Sequence, residues 1–312
     1  MTTIKLGTRA SALAMTQSAT IADRLRANHG VKVELVQIST EGDRSSEPLA
    51  SMGGQGVFVA GLREALISGE IDIAVHSLKD LPTTQDPRLV IAAIPPRVDA
   101  RDCLVARDGL TLGELPQGAR VGTGSPRREA QLNALGLGVE VVPIRGNVDT
   151  RIAKVASGEY DAVLLARAGL LRLGRADEAT ELIDPLQMLP APGQGALACE
   201  CRADDVATIH LLDGLDDTDT RVAVTAERSL LAALEAGCSA PVGALAEVAT
   251  GDNGDELWLR AVVGDISGSP TIRLSATGLP SEAAAVGERL AAEMLAEGAD
   301  TLVAVASPTP GR

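Results

Sequence analysis

The sequence predicts an α/β protein of two similar lobes followed by a small α+β domain. Three observations predict it. Strand-like apolar runs alternate with helix-patterned stretches, which implies parallel βαβ units. One plan occurs twice, as strand, Gly-Thr turn, helix, strand, helix, Ser-Gly-Glu-x-Asp and strand; residues 68–77 read SGEIDIAVHS and residues 157–166 read SGEYDAVLLA. From about Thr218 the texture changes to one long helix, three strand-like segments and a closing helix. At 312 residues the chain is also too long for one ordinary core.

In the first lobe, residues 4–8 (IKLGT) read as a strand, and Ser11 caps a helix with Ala14, Ile21 and Leu25 on one face. A second strand at 31–38 runs into the polar stretch TEGDRSSEP and the Gly-rich turn GGQG at 53–56. A helix around VFVAGLREALISG follows, then the strand IDIAV, which delivers the loop HSLKDLP at 76–82. The second lobe repeats strand, Gly-Thr turn and helix over 119–136, with Ser125 as N-cap and Pro126 at the first helical position. Its strand at 139–144 meets RGNVDTR, and a helix starts near Val148. Two Pro-rich crossings, 94–102 and 189–200, join the lobes and make a natural hinge.

In the third domain a helix over 220–237 takes Gly237 as its C-terminal cap residue, with Cys238 directly after it. Strands follow near 242–249, 256–263 and 271–277, the first two joined by the hairpin signal DNGD, and a helix closes over 281–297. The expected domains are therefore 1–97 plus 197–215, 98–196, and 216–312.

Composition narrows the function classes. With 45% hydrophobic and 22% charged residues the chain is globular. No run approaches the roughly 20 apolar residues of a membrane span, and the N-terminus enters a strand without a signal-peptide core. A cytoplasmic protein is expected. Only Phe58, Tyr160 and Trp258 are aromatic and the net charge is −14, which argues against nucleic acid as a partner. Cys103, Cys199, Cys201 and Cys238 show neither zinc spacing nor a disulfide framework, so no metal is expected. No coiled-coil seam is present, and a monomer is expected.

HSLKDLP stands where a buried strand surfaces, the edge at which open α/β sheets bind ligands. Lys79 beside Asp80 makes an acid/base centre, although from the pair alone a surface turn is as good a reading. His76 reads as a packed strand-end residue. Arg9, Arg127, Arg128, Arg145, Arg151 and Arg172 all fall in or just after loops at strand ends. Guanidinium forks bind carboxylates at roughly 1.5–3 kcal/mol per charge-assisted hydrogen bond. Solvated helix faces explain any one of these arginines, but poorly explain all of them on one edge.

The Gly-Thr-Ser turns at 7–11 and 122–125 aim backbone N–H groups at the same edge. Neither is followed by Lys-Ser/Thr, so they indicate an anion and not a nucleotide. Phe58, beside the Gly-rich turn, reads equally as a ligand cover or a helix anchor. Cys238 lies on a constrained loop before Ser-Ala-Pro, whereas Cys103, Cys199 and Cys201 look structural.

Eight segments in order, LGTRASALAMTQ, GGQGVFV, IDIAVHSLKDLP, VGTGSPRREAQL, IRGNVDTR, LLARAGLLRLG, LPAPGQGALACE and EAGCSAPVG, resemble the porphobilinogen deaminase (hydroxymethylbilane synthase) family. The resemblance covers essentially the whole chain. It implies two hinged lobes of the type II periplasmic-binding-protein kind, and a transferase of tetrapyrrole biosynthesis. Such an enzyme polymerises porphobilinogen head to tail into hydroxymethylbilane, with release of ammonia, on a covalent dipyrromethane cofactor.

By that resemblance Asp80 is catalytic and Cys238 carries the cofactor through a thioether. Lys79, Ser125, Arg127, Arg128, Arg145 and Gly169 bind the cofactor. Arg9, Ser11, Phe58, Arg145, Arg151, Arg172 and Gln194 bind substrate. One departure is Gln55, where many relatives carry Lys. Two other readings remain at this stage. One is a non-catalytic two-lobe module that clamps a small carboxylate. The other is a phosphate-ester enzyme, which lacks any metal-binding carboxylate cluster.

Overall fold

The computed structural model describes residues 3–38, 59–237, 240–251 and 254–305. It divides into two compact units, Met1–Val98 with Ala196–Arg221, and Asp99–Gly195 with Val222–Arg312.

The first unit contains β1 (Thr3–Thr8), α1 (Ala12–His29), β2 (Lys32–Gln37), α2 (Ala60–Ile67), β3 (Ile73–Ser77), β4 (Leu89–Ala93), the returning strand β10 (Leu197–Arg202) and α6 (Val206–Asp213). Its sheet runs β2-β1-β3-β10-β4. The first three strands are parallel, and β10 is antiparallel to both of its neighbours. Side chains alternate as a two-faced sheet requires. Ile73, Val75, Cys199 and Cys201 pack with Ile21 and Leu25 of α1, while Ala74 packs with Leu62 and Leu66 of α2.

The second unit contains β5 (Asp102–Ala106), β6 (Arg120–Gly122), α3 (Pro126–Ala134), β7 (Glu140–Val142), α4 (Val148–Ala156), β8 (Ala162–Ala166), α5 (Arg167–Arg172) and β9 (Glu181–Leu182). Its sheet, β7-β6-β8-β5-β9, repeats the first plan: a first strand between the second and third, then an antiparallel strand.

The repeated Ser-Gly-Glu-x-Asp motif has one structural meaning in both lobes. Its aspartate clamps the start of the first strand: Asp72 accepts from the Lys5 N–H at 2.8 Å, and Asp161 accepts from the Arg120 N–H at 2.7 Å. The residue before it packs on the glycine of the Gly-Thr turn. A Cβ on Gly7 would lie 2.3 Å from Ile71, and one on Gly122 would lie 3.0 Å from Tyr160.

The same unit holds an antiparallel sheet of β11 (Val242–Gly251), β12 (Gly254–Gly264) and β13 (Thr271–Gly278). Leu230 and Leu234, from the stretch around α7 (Thr218–Ala233), and Val286, Leu290 and Met294 of α8 (Ala283–Ala296) share a core with Leu257 and Leu259. The chain ends its described part in α9 (Ala299–Val305).

Three expectations change. β3 continues through His76 and Ser77, so only Leu78–Asp80 form a turn, as one turn of 3-10 helix. The apolar rhythm does not mark β4, β9, α5, α6 or α9, which are short or lack a clear period. α7 stops at Ala233, because Glu235 turns left-handed at φ 51° and the Ala236 N–H reaches back to the Leu231 carbonyl, well before Gly237. The GGQG turn with Gln55, Phe58, Cys238 and the hairpin residues 252–253 lie outside the described residues.

Candidate active site

In the first unit β1 and β3 are parallel neighbours, so their C-terminal ends open on one edge of the sheet. Arg9 and Ser11 follow β1, and Lys79 and Asp80 follow β3. The Ser11 hydroxyl accepts the Ala14 N–H at 3.3 Å and caps α1, as its position predicts. Arg9, Lys79 and Asp80 are half-buried. The Asp80 turn is tied down by its backbone, with Leu78 N–H donating to the Ala196 carbonyl at 3.0 Å and Leu81 N–H to Leu78 at 3.1 Å. Gln17 donates to the Ser77 hydroxyl at 3.1 Å just before it.

Behind this turn lies Glu200, buried in β10. Arg63 forks onto it, with Nη2 at 2.8 Å and Nε at 3.1 Å from its carboxylate oxygens. His76 Nε2 lies 3.3 Å from Oε2, within ion-pair reach but off the line of a hydrogen bond. Burial alone would push the Glu200 carboxyl up. The nearby His76 ring and the Arg63 fork outweigh that and hold it below its ordinary range.

In the second unit the ends of β6, β7 and β8 share an edge in the same way. Ser125 occupies the N-cap position of α3 but its hydroxyl makes no capping bond. Its N–H donates to the Thr123 hydroxyl at 3.2 Å, and the Thr123 N–H donates to Val142 at 3.0 Å. These two N–H groups are satisfied internally and are not offered to a ligand.

Arg127 and Arg128 point inward. Arg127 Nη1 donates to Asp102 at 2.7 Å and to the Leu189 carbonyl at 2.6 Å. Arg128 donates to Asp102 at 2.8 Å and to the Leu164 carbonyl at 2.9 Å. Gln194 Nε2 donates to Asp102 at 2.8 Å and to Ala100 at 2.7 Å. Burial would raise the fully buried Asp102 carboxyl, but the two guanidiniums hold it well below the usual range. Arg127, at 3% exposure, and Gln194, at 1%, therefore fasten both crossings to α3 from inside the lobe. The open edge is left to other residues.

Arg145 is exposed, and Arg151 and Arg172 are half-buried. Arg151 Nε donates to the Gly146 carbonyl at 2.8 Å, and Arg172 Nη2 to the Gly195 carbonyl at 2.7 Å. Burial pushes the Arg172 guanidinium down to about 10, and burial with the charges of Arg128 and Arg145 does the same to Arg151. Among the described residues no carboxylate pairs with either. Arg145 and Arg151, close enough to interact, are together complementary to more than one carboxylate. Gly169 lies buried in α5.

The described cysteines are poor nucleophiles. Burial pushes Cys103 and Cys199 up to about 12 and Cys201 up to about 11. Among the described residues no group of His, Cys, Asp and Glu could hold a metal ion, and no helix is long and apolar enough to cross a membrane.

Sequence reasoning misses the buried carboxylates that organise these edges. Asp102 and Glu200 hold the arginines just described. Glu227 accepts the Gly193 and Ala246 N–H groups at 2.6 and 2.8 Å. The available signal was an acidic residue inside an apolar strand, as in DCLVA or LACECR.

Comparison with known proteins is consistent over the whole chain. A family model described as porphobilinogen deaminase, dipyromethane cofactor binding domain, matches residues 4–210, and one described as porphobilinogen deaminase, C-terminal domain, matches 221–296. A protein named porphobilinogen deaminase from Mycobacterium tuberculosis (strain ATCC 25618 / H37Rv) is 59% identical over 305 residues, covering 96% of this chain and 98% of its own. One of the same name from Nocardia farcinica (strain IFM 10152) is 58% identical over 316 residues, covering 99% and 91%.

Among solved structures, a periplasmic substrate-binding protein of an ABC transporter from Coxiella burnetii is 14% identical at a TM-score of 0.44, covering 68% of this chain and 91% of its own. Immunogenic lipoprotein A from Vibrio vulnificus is 11% identical at 0.43, covering 68% and 94%. These two likenesses are too loose to carry an argument.

Proposed function

The chain belongs to the porphobilinogen deaminase family, and on that premise we propose that Asp80 performs the chemistry while Cys238 holds the primer. The protein is a transferase of tetrapyrrole biosynthesis. It joins four porphobilinogen molecules head to tail into hydroxymethylbilane and releases ammonia at each addition. Its cofactor is dipyrromethane. The reading as a non-catalytic carboxylate clamp is set aside by membership of an enzyme family.

The residues present fit that cofactor. Dipyrromethane carries an acetate and a propionate on each pyrrole, and the observation that carries the reading is the gathering of Arg128, Arg145 and Arg151, close enough that the first two disfavour the charge on the third. The Arg151 and Arg172 charges are disfavoured by burial, and among the described residues each donates to a backbone carbonyl and pairs with no carboxylate. We assign Arg145, Ser125, Gly169 and Lys79 to the cofactor, with Arg128, held inward on Asp102, backing them. Arg9, Ser11, Arg145, Arg151 and Arg172 are assigned to substrate carboxylates. Arg127 and Gln194 support these contacts from within, and Phe58 lies outside the described residues. Bound through Cys238, dipyrromethane supplies a free pyrrole α-carbon on which a chain can start.

Asp80 has two tasks. When porphobilinogen, its aminomethyl group protonated, loses ammonia, the C–N bond breaks with its electron pair leaving on nitrogen, and a pyrrole-stabilised methylene cation remains. A fixed Asp80 carboxylate near the pyrrole N–H stabilises that charge as it develops. Once the methylene carbon has bonded to the α-carbon of the preceding ring, that α-carbon must lose its proton. Asp80 is the base that takes it and passes it to solvent.

The test combines mass and turnover. The intact protein is expected to exceed its sequence mass by one dipyrromethane unit, and Cys238→Ser to remove that excess. Asp80→Asn is expected to keep the excess mass but lose nearly all turnover. Full activity at the unmodified mass, or near-normal turnover in Asp80→Asn, would overturn the respective assignment.

We also infer a cytoplasmic monomer of three domains, 1–97 plus 197–215, 98–196 and 216–312. The separate sheets and cores support the division, and the small-molecule substrate requires no partner chain. Light scattering at twice the chain mass would exclude the monomer.

A further inference from the structure

Glu200 is a buried carboxylate in a central strand, and the chemistry above makes no use of it. Such a group is costly to bury unless it is paired, so its partners indicate what it does. β10 pairs with β3 so that Ala198 faces His76 and Glu200 faces Ala74. Glu200 and His76 thus project from one face of the sheet, a diagonal step apart. On its other side β10 slips register against β4 between Cys199 and Glu200. Irregularities of this kind re-aim side chains and gather near active sites.

Arg63 reaches the same face from the first turn of α2 and holds both carboxylate oxygens. Arg63 and Glu200 therefore tie α2 to β10, and His76, 3.3 Å from the same carboxylate, sets the strand that delivers the Asp80 turn against that pair. The beginning of β10 grips the same turn a second time, through the Ala196 carbonyl and the Leu78 N–H. Apolar packing fixes the depth of β3 in the sheet but resists sliding along its axis poorly. The Arg63–Glu200 fork is directional and fixes β10 against α2, and β10 in turn is laddered to β3.

We infer that Glu200 is a positioning residue for Asp80, locking through His76 and Arg63 the strand end on which the Asp80 turn is built. This rests on Asp80 being the catalytic carboxylate. A single carboxylate that must both face a developing cation and reach a departing proton tolerates little displacement. A shift of about 1 Å at a reacting group can lower a rate about a hundredfold.

Glu200→Gln alone would strand the Arg63 charge in the interior and endanger the fold, so the main test pairs Glu200→Gln with Arg63→Met and removes both charges. In the primer-bearing protein this pair is expected to keep the dipyrromethane mass and a cooperative melt. KM should stay within about threefold of the parent while kcat falls about ten- to a hundredfold. A folded, primer-loaded variant with kcat within about twofold of the parent would overturn the inference. So would kcat and primer loading falling together, since that marks a role in folding alone.

His76→Asn keeps the Arg63–Glu200 pair and should show the same split at smaller size. If the paired variant does not fold, this one decides, and unchanged kcat in it overturns the inference. Near-normal turnover in Asp80→Asn would instead remove the underlying assignment, so the two failures remain distinct.

Discussion

Asp80 and Asp102 are the same side chain put to opposite uses by their surroundings. Asp80 ends a half-buried turn at an open sheet edge, where a carboxylate can meet a ligand. Asp102 is sealed between two guanidiniums and a glutamine amide, with its oxygens already accepting from Arg127, Arg128 and Gln194. Removing one member of a buried ion pair leaves the other uncompensated, which costs about 3–5 kcal/mol. Asp102→Ala is expected to lose at least that much in urea denaturation, because it strands two guanidiniums.

The pH dependence follows from the same contacts. The folded carboxyl is held below its unfolded value of about 3.9, so its contribution is fully present above that pH. It is lost as pH falls below about 4 toward the depressed folded value, because there the unfolded chain binds the proton more readily. The parent should therefore lose stability on acidification through this range more steeply than Asp102→Ala does. Equal slopes would remove Asp102 as the cause.

At the scale of elements, the most exacting contact is where α8 meets α7. A Cβ on Gly287 would lie 2.3 Å from the Ala226 carbonyl oxygen and 2.8 Å from the Leu230 nitrogen, both rigid helix backbone. Gly287→Ala must push the helices apart and is expected to cost about 1–3 kcal/mol, read as a lower denaturation midpoint at unchanged slope. A neutral effect would mean that the helices separate freely.

The elements legible in the sequence are those whose signal is local. Ser11 announces α1, Pro126 announces α3, and the repeated Ser-Gly-Glu-x-Asp announces the third strand of each lobe. Elements defined by distant partners are not legible. β9 is two residues long and exists by pairing with β5, and the register slip at Glu200 exists only against β4. The same limit hid the carboxylates: Arg63 and Glu200 are 137 positions apart, and Gln194 and Asp102 are 92 apart. The open arginines were legible because strand-end loops are visible in the alternation. Which of them turn inward was decided by Asp102.

Over the whole molecule, a chain of net charge −14 takes a polycarboxylate substrate and primer. Long-range repulsion does not prevent this, since salt confines such fields to roughly 8 Å under physiological conditions. What remains is the local field of Arg145 and Arg151 with the neighbouring Arg128, and its sign depends on the primer. Without the primer, Arg128 and Arg145 disfavour the charge on Arg151, and added salt weakens that repulsion. With the primer, the arginines face carboxylates, and added salt weakens an attraction.

Salt therefore moves the two forms in opposite directions. The primer-bearing protein is expected to melt above Cys238→Ser at low ionic strength. That gap should narrow steadily toward about 1 M salt, where the screening length falls to about 3 Å. General effects of salt on the rest of the chain are shared by both forms and cancel in the difference. A Tm gap that stays constant across the titration would mean that the primer stabilises the protein by apolar burial, and that the arginine cluster is not its principal partner.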